Sequence, residues 1–276
     1  MLAYLRGAGV IAAVVFTAGG VMSDQTTQLF RYDTIKSLSV EAITGRITVR
    51  AYGGKEVTVE LKNELRNPDI LTPEIEEKDG ALFIKEVIPV NDPEGATYWT
   101  IQVPQAMSLE SVDGLTALGD IEFDGLRVDR VKSHAATGSV KARALRAKTM
   151  ELSTSSRAIT VSDCRVADSI KLATSDGVVD LSLPQLPAGL MEAASSYGEV
   201  TITLPSFGDN FEMTISKNAN QGKIDMPFAC SKTVTNRFHE KDTYLTDQCT
   251  VKHGSGGPKV FLLTGSGTIT IKTNTK

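Results

Sequence analysis

One five-residue phrase recurs along this chain and constrains its fold more than any other feature. The phrase is Gly, any residue, an aliphatic, a polar residue and a second apolar residue. It reads Gly45-Arg-Ile47-Thr-Val49, Gly119-Asp-Ile121-Glu-Phe123, Gly138-Ser-Val140-Lys-Ala142 and Gly177-Val-Val179-Asp-Leu181. It continues as Gly198-Glu-Val200-Thr-Ile202, Gly222-Lys-Ile224-Asp-Met226 and Gly267-Thr-Ile269-Thr-Ile271. Arg157-Ala-Ile159-Thr-Val161 has Arg in the glycine slot, and Gly80-Ala-Leu82-Phe-Ile84 reads as a further copy. From Gly119 to Gly222 successive slots lie 19, 19, 20, 21 and 24 residues apart. Repetition at this period is the signature of a solenoid, in which no unit buries its apolar face alone.

The alternation sets each phrase as a short strand, aliphatics on one face and polar residues on the other. The outward positions are Thr48, Glu122, Lys141, Thr160, Asp180, Thr201, Asp225 and Thr270, all polar. The opening glycine suits a tight turn with positive φ, so Arg157 predicts a changed turn or local strain. Three residues before the slot runs a column of small residues: Ala42, Thr116, Ala135, Thr154, Thr174, Ser195, Ala219 and Thr264. A narrow interior follows from it. Seven residues before the slot runs a bulkier column of Leu38, Val112, Val131, Met150, Ile170 and Met191. Leu126, Leu145 and Cys164 fall seven past the slot, and Val128, Ala147 and Val166 nine past. About six inward side chains per coil make a small core, which stacking at roughly 4.8 Å joins into a continuous one. The expected fold is therefore all-β, a parallel β-helix with coils of about 19–21 residues, right-handed by the crossover rule. An antiparallel β-sandwich is the alternative, but it gives no reason for columns in constant register.

Before the repeats the chain is less regular. Val57-Thr-Val-Glu-Leu61 and Tyr98-Trp-Thr-Ile-Gln-Val103 read as strands, and Arg66–Pro73 as a loop. Residues 29–107 are read as irregular early coils, 108–226 as regular coils, 227–258 as a Cys-bearing insertion able to cap the stack, and 259–276 as the last coil. Together, 24–276 form a single solenoid domain. The polar, Lys-bearing tail Lys272–Lys276 would discourage edge-to-edge association.

Residues 1–23 stand apart. One charge, Arg6, precedes the apolar run Gly7–Met22, and Val21 and Ser23 suit a cut before Asp24. That is the pattern of a secretory signal peptide, with an uncleaved anchor or a mitochondrial presequence as the competing readings. The expected location is exported: periplasmic, cell surface or extracellular. Any membrane contact runs only through the N-terminal segment if it stays uncleaved. With 41% hydrophobic and 22% charged residues and a net charge of −4, nothing in the composition favours nucleic acid as a partner.

Chemistry is sparse. Cys230 and Cys249 lie 19 residues apart in the insertion and read as a disulfide in an exported chain. Adding His239 and His253 gives Cys-x8-His-x9-Cys-x3-His, a conceivable zinc set, although structural zinc sites pair ligands at shorter spacing. Free thiols are the third reading. Cys164 falls in the Leu126/Leu145 column and reads as a buried thiol. His134 sits in a regular coil without a nucleophile at recognisable spacing, and Asp176 in Ser175-Asp176-Gly177 is an ordinary turn residue. Calcium nonapeptide repeats and a phosphate-binding loop are absent from the sequence. No cofactor and no metal are expected.

A glycoside-cleaving enzyme needs two facing carboxylates, and Asp120, Glu122, Asp180, Glu199 and Asp225 are the outward candidates. They are interspersed with Lys141, Lys223, Thr160 and Thr201, as on a solvated face, and the one neighbouring aromatic pair is Tyr98-Trp99. No catalytic residue is assigned.

Several phrases carry a resemblance: Trp99–Pro104 (WTIQVP), Ser108–Gly119 (SLESVDGLTALG), and the turns SDG at 175–177, SYG at 196–198 and GSG at 265–267. Over roughly 35–276 the chain resembles the bacterial β-strand repeat family of candidate adhesins, known as domain of unknown function 4097. The resemblance implies the solenoid fold and carries no catalytic residues. This chain departs from the pattern at Arg157 and in the Cys-bearing insertion. The expectation is a non-enzymatic envelope or surface protein, a binding module or structural scaffold with a protein or glycan partner. A carbohydrate-active enzyme using outward carboxylates is the alternative.

Overall fold

The computed structural model describes the backbone of residues 5–6, 14–17, 26–89, 93–204, 210–218, 221–239 and 242–273. Side chains are described for 27–89, 93–204, 210–218, 221–231 and 246–273. Among the described residues, apart from one 3-10 turn at Pro68–Ile70, every regular element is a strand. The strands form two sheets, here A and B, and the chain divides into two compact units, 1–141 and 142–276.

In the first unit the strands are β1 (Leu5–Arg6), β2 (Val14–Thr17), β3 (Thr26–Tyr32), β4 (Ser37–Ala42), β5 (Gly45–Tyr52) and β6 (Val57–Asn63). They continue as β7 (Thr72–Lys78), β8 (Ala81–Val87), β9 (Thr97–Pro104), β10 (Leu109–Thr116), β11 (Ile121–Asp124) and β12 (Arg127–Ala135). Sheet A runs β1-β7-β8-β4-β10-β12 and sheet B runs β2-β3-β6-β9-β5-β11. From β8 to β12, and from β9 to β11, every pairing is parallel, as the stacked-coil reading requires. Beyond them the pairs β7/β8, β6/β9, β3/β6 and β2/β3 are antiparallel, and the short β1 pairs β7 in parallel.

β13 (Val140–Arg143) falls at the division. The second unit then holds β14 (Arg146–Thr154), β15 (Ile159–Ser162), β16 (Arg165–Thr174), β17 (Val179–Ser182), β18 (Leu190–Ser195) and β19 (Val200–Leu204). It ends with β20 (Phe211–Asn218), β21 (Ile224–Asp225), β22 (Ser231–His239), β23 (Asp242–His253), β24 (Lys259–Thr264) and β25 (Ile269–Thr273). Sheet A runs β14-β16-β18-β24-β20-β23-β22 and sheet B β15-β17-β19-β25-β21. The expected columns hold: Met150 stacks on Ile170 and Ile170 on Met191. The fold is a parallel β-solenoid.

Four sequence expectations change. First, coil order departs from chain order: β25 pairs β19, so the Gly267 coil follows the Gly198 coil and Gly222 stacks outside it. β25 thus lies between β19 and β21, and residues 274–276 of the tail lie outside the described residues. In the first unit β4 likewise lies between β8 and β10. Second, β8 belongs to sheet A, with Leu82 against Leu38. Gly80 is therefore not a slot glycine. With Asp79 (φ 55°) and Gly80 (φ 81°) it forms the two-residue turn of the β7/β8 hairpin.

Third, of the slot glycines Gly45, Gly119, Gly138, Gly177, Gly198, Gly222 and Gly267, only Gly222 has positive φ, at 67°. The others are glycine because coils approach closely. A Cβ on Gly138 would overlap the Gly119 carbonyl, and one on Gly198 or Gly267 the carbonyl of Gly177 or Gly198. Fourth, Arg157 keeps the turn of its neighbours without left-handed backbone, its side chain exposed.

The small column does more than narrow the interior. Thr116 Oγ1 donates to the Gly45 carbonyl (3.1 Å), Thr174 to Arg157 (3.1 Å), Ser195 to Gly177 (2.8 Å) and Thr264 to Gly198 (2.9 Å). The same hydroxyls accept from their own coil's glycine: Gly177 N–H to Thr174 (3.0 Å), Gly198 to Ser195 (2.8 Å) and Gly267 to Thr264 (2.9 Å). Each turn is thereby tied to the preceding coil, and buried backbone groups are satisfied. Ala219 lies outside the described residues. In the register, Lys217 stands opposite Thr264 and ends the second unit's column. In the first unit the position beyond Ala42, next after the Glu41–Lys85 pair, is Glu86.

Candidate functional site

In the first unit the outside of sheet A carries a groove. Strand alternation turns Ser39 and Glu41 of β4, Asp113 and Leu115 of β10, and Lys132 and His134 of β12 outward. The register sets them in two rows. One is Phe83–Ser39–Asp113–Lys132, the other Lys85–Glu41–Leu115–His134. The groove, of about 370 Å³, lies over the β4, β10 and β12 members of these rows, lined also by Val40, Gly114 and Ser133. Gly114 points inward without a side chain because Phe123 fills that space: a Cβ there would stand 3.3 Å from the Phe123 ring. Short Ser39 lies low beside Phe83, 47% exposed, while Leu115 is 43% exposed. Two large apolar side chains thus stand in a charged surround.

The arrangement suits recognition. Asp113 is shared with Arg130 at 3.8 Å. Glu41 and His134 are separated by the strand carrying Leu115, about 10 Å at ordinary strand spacing, which is too far for a base and its orienting carboxylate. His134 is exposed, as expected of a solvent-facing histidine.

Asp120 is engaged by neighbouring groups, and Asp180 and Asp225 stand far apart. Asp120 accepts from the Ser139 N–H (2.9 Å) and the Arg46 guanidinium (3.1 Å). Burial opposes its charge, but those two partners outweigh burial and hold the carboxyl below its ordinary range. Glu122 stands beside Thr48. Asp180, Thr201, Thr270 and Asp225 share one row, so the two aspartates are three strands apart, about 14 Å. Glycosidase pairs lie within about 9.5 Å. Glu199 precedes its strand, where its carbonyl accepts from the Val179 N–H. Trp99 is buried and offers no platform, while Tyr98 faces out with Lys62 Nζ 5.8 Å from its ring centre. Asp176 is an exposed turn residue.

In the second unit Cys230 and Cys249 form a disulfide, with Cα atoms 5.6 Å apart. It takes both thiolates of the zinc reading. His253 stacks on Phe211 with centroids 6.0 Å apart, and the His239 side chain lies outside those described. Cys164 is buried and outside the disulfide, and its Sγ donates to the Ser162 carbonyl (3.3 Å). Beside the disulfide, Lys217 is 6% exposed and pairs with Asp247 at 2.9 Å, donating also to the carbonyls of Asn218 (3.0 Å) and Gln221 (3.2 Å). The bridge ties β23 to the residue that precedes β22, and the Lys217–Asp247 pair ties β23 to β20. Replacing both Cys230 and Cys249 with Ser is expected to lower stability by about 3 kcal/mol through loop entropy, read as a shifted urea midpoint against the oxidised protein. An unchanged midpoint would show that Lys217 and packing hold the hairpin alone.

Sequence reasoning missed Glu86 and Lys217. Glu86 is 1% exposed and accepts from the N–H groups of Ile43 and Thr44 (2.9 Å for Thr44), the Thr97 hydroxyl and the Trp99 indole N–H (3.4 Å). Alternation from Leu82 through Ile84 points to an inward position at 86, and that was the available signal.

The strands and their register define a parallel β-solenoid, as the repeat phrases imply. The chain belongs to the Toastrack DUF4097 family, whose sequence model matches residues 31–226. Its fold is similar to a crystal structure of a candidate cell adhesion protein from Clostridium sporogenes, at 12% identity, covering 91% of this chain and 100% of that one with a TM-score of 0.40. A candidate adhesin from Bacteroides fragilis is similar at 14% identity, covering 89% and 96% of the two chains with a TM-score of 0.40. No curated protein matches this chain.

Proposed function

We propose that this chain is a non-enzymatic extracytoplasmic binding protein that takes a protein or glycan partner on the outer face of sheet A in its first unit. The groove over Ser39, Asp113 and Leu115, flanked by exposed Phe83, is the observation that carries the reading. Exposed apolar side chains in a polar surround mark contact surfaces. A disulfide together with an apolar N-terminal run supports an oxidising compartment.

The test is a pull-down from the native envelope fraction paired with a glycan array, using wild type and Leu115→Glu. Leu115 is exposed, so the variant folds. Burying such a side chain contributes roughly 1.5–3 kcal/mol, so affinity for any captured partner should fall at least about ten-fold. Equal capture by the variant would move the binding surface elsewhere. Turnover of a glycan by the folded wild type would replace this reading with an enzymatic one.

A further inference from the structure

We propose that the corner leading into β14 and β16 in the second unit binds a polysaccharide bearing sulfate or phosphate esters, the ester group lying between the guanidinium groups of Arg146 and Arg165. These two arginines open their strands and stand directly opposite each other in adjacent coils. Both are exposed, and among the described residues neither forms an ion pair. Like charges opposed on neighbouring strands, about 4.8 Å apart, repel. The repeat keeps arginine there nonetheless: the position eight past the slot is Arg127, Arg146 and Arg165 in three successive copies.

Backbone geometry fixes the pair. Two residues before each arginine the chain is left-handed without glycine, at Ala144 (φ 54°) and Asp163 (φ 56°). A side chain disfavours that conformation, which persists only where the surroundings over-determine it. Here the Ala144 N–H donates to the Ser162 carbonyl (3.0 Å) and the Arg165 N–H to the Leu145 carbonyl (2.8 Å), so each corner is tied to the other. Leu145 and Cys164, the residues just before the arginines, are buried. Two cations are thus held side by side on a rigid base, preorganised for an anion.

The spacing selects the ligand. Each guanidinium presents a planar fork of donors. At one strand spacing, two forks can take different oxygens of one tetrahedral oxyanion, whereas a carboxylate gives both oxygens to a single fork. Asp163 and Asp168 are exposed close by in the chain, so the positive strip is narrow. A single polymer chain fits such a strip, while a flat anionic membrane would meet the carboxylates as well. The net charge of −4 likewise disfavours duplex nucleic acid. This site does not rest on the groove of the first unit.

Titration of the full chain with dextran sulfate, a phosphomannan and unsubstituted dextran tests this. The wild type should bind one or both charged polymers, weaken as salt is raised and leave dextran unbound. The tighter of the two charged polymers identifies the ester. Arg146→Gln with Arg165→Gln should weaken binding about ten-fold or more, whereas Lys171→Gln, at an exposed lysine of β16, should leave it unchanged. Arg165→Glu sets unlike charges opposite each other, so its urea midpoint should rise while binding falls, a split that loss of folding would not produce. No binding by the wild type, undiminished binding by either arginine variant, or an equal loss in Lys171→Gln would overturn the proposal. So would tighter binding to phosphatidylglycerol vesicles or duplex DNA than to either charged polymer.

Discussion

Replacing Glu86 with Ala is expected to cost about 3–5 kcal/mol of stability, since a buried and a part-buried backbone N–H lose their acceptor at about 1–3 kcal/mol each and two buried side-chain donors lose theirs as well. The donors are Ile43, Thr44, Thr97 and Trp99, and they come from the β4–β5 corner and from β9. One carboxylate thereby ties the coil formed by β4 and β5 to the coil stacked outside it. Glu86→Gln keeps one acceptor oxygen and should fall between wild type and Glu86→Ala. Urea unfolding gives the magnitude. Hydrogen exchange gives the place, because the Ile43 and Thr44 amides should lose protection before the rest of the first unit. A loss below about 1 kcal/mol would mean that water replaces the carboxylate at little cost.

The second large effect concerns a methyl group. Gly138→Ala places a Cβ on the carbonyl of Gly119, and no rotamer relieves an overlap with backbone. Overpacking ordinarily costs about 1–3 kcal/mol. Here one coil must lift off its neighbour, so at least about 3 kcal/mol is expected, read as a lowered urea midpoint or a failure to accumulate as folded protein. Gly53 is the control. A Cβ there meets nothing within 4 Å, and Gly53→Ala should leave stability unchanged or raise it by up to about 1 kcal/mol through the unfolded chain. Equal midpoints for the two variants would contradict the stacking of Gly138 on Gly119.

These two residues show where the sequence is legible. The Gly138 phrase was visible because glycine, inward aliphatic and outward polar residue recur at fixed positions, and the inward Val140, Ile159, Val179, Val200 and Ile269 are buried, while Ile224 in the outermost coil is half-buried. The reason for the glycine was not visible. Intolerance of a Cβ looks identical in sequence whether it comes from left-handed backbone or from a neighbouring carbonyl, and only the stacked coils distinguish them. Coil order was hidden for a related reason: a regular spacing records where strands occur, not which strand each one meets. The run 198 to 222 looks like one more period, yet the Gly267 coil lies between them. Glu86 and Lys217 sit where the small column ends, and a column deduced from its small members does not announce a charged last member. The groove was illegible because it depends on which outward residues become neighbours. Phe83, Ser39 and Asp113 are far apart in sequence and adjacent in register.

Placement of β24 between β18 and β20 has a consequence for how the chain matures. Val260 pairs with Met191 on one side and Met213 on the other, so the slot between those earlier strands stays vacant until the C-terminal segment arrives. A chain emerging N-terminus first cannot stack its coils in order of appearance. β20 and its hairpin must wait for, or be displaced by, a strand made after them, and pairing at such sequence separation is slow. The second unit should therefore acquire its protection in one late step once the last strand docks. Shortening the C-terminus by that strand would open the middle of the sheet, whereas trimming a terminal edge would only shorten it.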